Sequence, residues 1–135
     1  MTMRLVAAAA VLTSAAIHLT LWFQGMRDVD VIGNAFLVNV TAGVVIAVLL
    51  VRWHHWLPPA LAACFGLATL TAFTMASTVG LFGDHETWGG FYVFAAAASE
   101  LVAFGLGIAL VLEDPDPVPV PVSTGSHRSD APVDS

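Results

Sequence analysis

A chain of 135 residues, 58% hydrophobic and only 10% charged, with a mean hydropathy of +0.84, lies far from soluble globular composition and has that of an integral membrane protein. Half of the ten acids behind its net charge of −6 (Glu113, Asp114, Asp116, Asp130 and Asp134) sit at the C-terminal end, and four arginines with no lysine exclude the basic patch that nucleic-acid binding needs. The single cysteine, Cys64, excludes an intramolecular disulfide, a CxxC redox pair and a quinone-linked dithiol enzyme, and inside an apolar run it reads as a small buried hydrophobe.

The first apolar run covers about residues 4 to 24. Arg4 followed by Leu-Val-Ala-Ala-Ala-Ala has the flavour of a signal peptide, with Ser14-Ala15-Ala16 as candidate cleavage residues. The run continues through Ile17, Leu19, Leu21, Trp22 and Phe23, however, which gives about 20 residues, enough to cross about 30 Å of hydrocarbon. A polar turn, Gly25 to Asp30, leads into a second run over residues 31 to 52. That run ends at Arg52-Trp53-His54-His55-Trp56, and Leu57-Pro58-Pro59 opens a third over 57 to 82, where prolines suit a first helical turn whose amide hydrogens lack partners anyway. Asp84-His85-Glu86-Thr87 then turns the chain into a fourth run over 88 to 112, with Gly89-Gly90 weakening its first turn. These continuous, alanine-rich runs lack the alternation of a membrane strand and are too few to close a barrel.

The expected fold is therefore all-α: a transmembrane up-down four-helix bundle over residues 1 to 112, with short connections making consecutive helices antiparallel neighbours. Trp22, Trp53, Trp56 and Trp88 all fall at segment ends, as an interfacial aromatic belt would place them. Four spans put both termini on one side with the second connection. Arg4, Arg52 and Arg128 lie there against Arg27 on the other side, so both termini are expected in the cytoplasm. Residues 113 to 135 alternate proline with aspartate and valine before a Ser, Asp and Gly-rich end, and are expected to form a disordered, solubilising tail.

Polar residues inside the spans are few and cluster in depth. At ~1.5 Å per residue, His18 lies about 9 Å and Ser14 about 15 Å from the far end of the first helix, Asn39 about 12 Å into the second, Thr74 and Thr71 about 12 and 16 Å into the third, and Glu100 about 18 Å into the fourth. The i, i+4, i+8 recurrence of Ser14, His18 and Trp22, and the i, i+3, i+7 recurrence of Thr71, Thr74 and Thr78, predict that both sets face inward. Glu100 shares its face with Ala96, Ala103 and Gly107, small residues that let helices approach, so it too is expected inside the bundle. An unpartnered carboxylate there is costly. Glu100 is expected either neutral or paired with a partner such as protonated His18. His18, Asn39, Thr71, Thr74 and Glu100 thus form the candidate ligand or proton site, with interhelical hydrogen bonding as the structural alternative for Glu100.

Other signals are weaker. Asn39-Val-Thr41 matches a glycosylation acceptor but lies within a span, and adjacent His54-His55 lacks the i, i+4 spacing of a metal pair. Asp28, Asp30, Asp84, His85 and Glu86 read as solvated turns rather than a metal site, and haem held between two helices would need two deep histidines where only His18 qualifies. No cofactor is expected.

The run His18-Leu-Thr-Leu-Trp-Phe-Gln-Gly-Met-Arg-Asp28, with Ile32-Gly-Asn-Ala-Phe-Leu-Val-Asn39, Gly80-Leu-Phe-Gly83 and Glu100, resembles small uncharacterised four-span integral membrane proteins of high-GC actinobacteria, over about residues 4 to 112. That resemblance implies the plasma membrane and carries over no catalytic residue. No nucleophile, base and orienter spacing is visible, so the chain is expected not to be an enzyme. The expected function is an accessory protein, or a binder of a small apolar ligand or lipid, with the bilayer and either a membrane-protein partner or a second copy as its partners. The competing expectation is a proton-linked transporter acting as an oligomer through Glu100 and His18.

Overall fold

The computed structural model describes residues 1–28, 31–78 and 91–113. The far end of the third apolar run, the third connection with the start of the fourth run, and the C-terminal tail lie outside the described residues. Four helices carry the fold: α1 (Thr2–Phe23), α2 (Ile32–Arg52), α3 (Leu57–Thr78) and α4 (Phe91–Glu113), with a short 3-10 turn at Met26–Asp28. Among the described residues there is no strand. All four helices are long and apolar enough to cross a membrane. Their outward faces are apolar as well: Phe91 is 79% exposed, Leu101 58% and Leu112 75%, a surface that suits hydrocarbon rather than water.

The bundle is built from two tight pairs. Between α1 and α2, a Cβ added at Gly43 would stand 2.8 Å from the Ala15 Cβ, so a larger residue there would force the helices apart. Between α3 and α4, a Cβ at Gly107 would lie 2.6 Å from the Ala63 nitrogen and 2.7 Å from the Pro59 carbonyl oxygen. One added at Gly66 would collide with the Glu100 carbonyl oxygen. In lipid, where apolar surface gives helices no reason to leave the solvent, such close approach supplies the packing that holds them. The α4 stripe of small residues is thus an interface with α3, its counterpart being Pro59, Ala63 and Gly66. The pairs join along α1 and α4, while α2 and α3, although consecutive, barely touch along most of their length. Expecting consecutive helices to be close neighbours misses this. Each is drawn onto its own glycine-mediated partner, and a seam opens between them.

At the end of the bundle that carries the N-terminus, Arg4 is buried, and its guanidinium donates to the carbonyl oxygens of Trp53 (3.2 Å) and His55 (3.0 Å) in the α2–α3 connection. A cation just beyond the C-terminus of α2 also meets the negative end of that helix. The connection is further braced by Trp53 stacked on His55 at 4.8 Å, and by the His55 Nδ1, which accepts the Leu57 amide hydrogen at 3.1 Å as α3 begins. Pro58 and Pro59, both fully buried, follow in the first turn. Arg4→Ala should therefore lower bundle stability by about 2 kcal/mol in a detergent melting experiment, with Arg4→Lys recovering only part, because an ammonium cannot span both carbonyls in a fixed fork.

Candidate functional site

The seam between α2 and α3 leads into a cavity of about 560 Å³, within the range of small-molecule sites. Its sides are the facing surfaces of α2 and α3, chiefly Ala35, Val38, Ala42, Ile46, Leu61, Ala68 and Ala72, and its floor comes from α1 and α4 through Leu21, Val93, Ala96 and Ala97. Cys64 belongs to this wall and is exposed, not buried as its apolar surroundings suggest: the seam leaves its face of α3 uncovered.

Four polar side chains reach into this apolar space: His18, Asn39, Thr69 and Glu100. Glu100 is 2% exposed, and its Oε1 accepts a hydrogen bond from the Ser14 hydroxyl at 3.1 Å across the α1/α4 interface. The Thr69 hydroxyl on the same cavity donates to the carbonyl oxygens of Phe65 (2.8 Å) and Gly66 (3.2 Å). His18 is fixed from two sides. Its Nδ1 lies 2.8 Å from the Ser14 carbonyl oxygen and must carry the proton there, while its ring packs on Phe36 of α2 with centroids 5.0 Å apart. That tautomer aims the Nε2 lone pair at Glu100 Oε1, 3.9 Å away. A proton taken up by this pair has two places to sit, on Nε2 as a histidinium–carboxylate pair or on the carboxyl beside a neutral imidazole, and both forms have the same net charge. Asn39 completes the set differently. Its Oδ1 is buried with no hydrogen-bond partner among the described residues.

Of the residues singled out from sequence, His18, Asn39 and Glu100 are brought together. Helix geometry alone left about 6 to 9 Å of height between them; His18 and Glu100 nonetheless approach to 3.9 Å, and Asn39 lines the same cavity. Thr71 and Thr74 are not part of the site. Both are exposed on the outside of α3, where their hydroxyls donate to the carbonyls of Leu67 (2.7 Å) and Leu70 (2.8 Å). A threonine that bonds its own preceding turn can face lipid at little cost, so depth and periodicity did not fix the direction of the stripe. Thr69, about 200° around the helix from Thr71, takes the inward place instead. The signal that could have found it is the Pro59, Ala63, Gly66 stripe, which marks the packed face of α3.

Among the described residues, no three His, Cys, Asp or Glu side chains gather as a metal site. No protein-family model, curated protein or solved structure matches this chain.

Proposed function

We propose that the chain is a non-enzymatic multi-pass protein of the plasma membrane, with both termini cytoplasmic, that takes a small, largely apolar ligand or lipid from the bilayer through the α2/α3 seam. The observation that carries this reading is an apolar cavity opening where two sequence-consecutive helices part, with a polar cluster at its floor. An accessory role alone would give no reason for a cavity of ligand size, whereas a ligand site needs both its walls and its convergent polar groups. Filling the cavity tests it. Ala68→Trp on the α3 wall should leave the protein folded and remove most of the lipid or small-molecule mass that native mass spectrometry finds on it. Retention of that mass by the variant would overturn the reading.

Orientation has its own test. In a Cys64→Ala background, an impermeant thiol reagent added to intact cells should label Asp28→Cys, at the α1–α2 turn, and not His54→Cys, at the α2–α3 connection. The reverse pattern would invert the topology. The second reading, a proton-linked transporter working as an oligomer, is favoured by one observation only, the approach of His18 Nε2 to Glu100 Oε1 at 3.9 Å at the cavity floor.

A further inference from the structure

We infer that the ligand of the α2/α3 cavity is a lipophilic amine: an alkyl chain or small hydrophobic body ending in a protonated nitrogen that bears hydrogens. This deepens the proposed function and rests on it. The argument is the sign and hydrogen-bonding character of the polar groups, a buried carboxyl with further acceptor atoms on the same cavity. Asn39 offers a buried Oδ1 with no partner. The His18 Nε2 carries a lone pair, because Nδ1–H is committed to the Ser14 carbonyl. Glu100 offers carboxyl oxygens of which one is reached by Ser14 and faces Nε2 at 3.9 Å. The Thr69 hydroxyl donates to its own helix and presents lone pairs.

Among the described residues no arginine lines the cavity, and the chain has no lysine, so the sole side chain there able to carry positive charge is His18, which already faces Glu100. An alcohol or ester would satisfy at most part of the acceptor set. An R–NH3⁺ group brings three donors and one positive charge to acceptors drawn from these four side chains, Glu100 being anionic once any proton on it leaves. The walls of alanine, valine, leucine, isoleucine and phenylalanine then take the apolar body.

Cys64 supplies the readout, being the one cysteine and lying exposed on the cavity wall. Full-length protein in lipid nanodiscs is alkylated with N-ethylmaleimide in the presence of decylamine, decanol, decanoate or decyltrimethylammonium, and the concentration that halves the alkylation rate is recorded. Decylamine should protect at a concentration at least about tenfold below decanol, as a charge-assisted bond to a desolvated acceptor requires. Decanoate should protect least, and decyltrimethylammonium, which keeps the charge without N–H donors, should fall behind decylamine. Glu100→Gln should remove the preference for the amine and leave decanol unchanged, and Asn39→Leu should weaken decylamine alone. Equal protection by decylamine and decanol in the wild type would overturn the amine assignment while leaving an apolar binding site standing, and this comparison needs no variant. Failure of every probe to protect Cys64, with Ala68→Trp also without effect on its alkylation, would overturn the binding site itself.

Discussion

Replacing Gly66 with alanine should cost the bundle about 3 kcal/mol or more, above the usual range for one added methyl, and Gly66→Val should prevent α3 from docking on α4 at all. The new Cβ would strike the backbone carbonyl oxygen of Glu100 and stand 2.9 Å from the Phe104 nitrogen, and helical backbone cannot rotate aside as a side-chain tip can. The damage would reach the site as well, since the obstructed turn of α4 is the one that presents Glu100 to Ser14 and His18. Gly107→Ala should behave in the same way one interface layer further along, against Ala63 and Pro59. Gly105 is the control. A Cβ there meets nothing within 4 Å, so Gly105→Ala should be neutral or slightly stabilising through helix propensity. Thermal unfolding in one detergent, followed by helical circular dichroism, separates these outcomes, and equal melting temperatures for the Gly66 and Gly105 variants would contradict the packing described for α3 and α4.

The same glycines show where the sequence is legible and where it is not. Four apolar helices and the first two connections follow from run length, proline at the start of α3 and tryptophan at the boundaries, because a bilayer imposes one length on every spanning helix. Depth also singled out His18, Asn39 and Glu100, which line one cavity. Rotation is not legible. A helix that is apolar all round can face its partners with any stripe, so the packed face must be read from small residues rather than from hydrophobicity. On α4 the Ala96, Ala103 and Gly107 stripe did this correctly. On α3 the threonine stripe competed with the Pro59, Ala63, Gly66 stripe and pointed the wrong way. Arg4 illustrates a different blindness: its charge counts toward orientation, yet nothing local marks it as the donor that ties residues 53 and 55 to the start of α1.

Decylamine affinity should rise about tenfold for each pH unit over the interval in which the His18–Glu100 pair holds its proton and the amine remains charged, whereas decanol affinity should not change. The sign follows from counting. Before binding, the pair carries one proton between Nε2 and the carboxyl; after binding, the ammonium occupies the carboxylate and supplies its charge, so the pair's proton is released to solvent. Raising the pH removes the competitor and tightens binding, until the amine itself deprotonates at about the lysine range, near 10. Among the described residues, His18 faces Glu100 from α1, Cys64 lies on the α3 wall, and the α2 wall contributes Asn39, which does not titrate. Cys64→Ser, with binding followed by native mass spectrometry, should therefore keep the slope, and Glu100→Gln should abolish it together with the preference for the amine. His18→Gln separates the partners, since it leaves the carboxyl as the sole proton carrier and should shift the pH interval without removing the dependence. A flat profile in the wild type, with decylamine still preferred, would mean that the ammonium is bound without displacing a proton and that His18 and Glu100 do not share one.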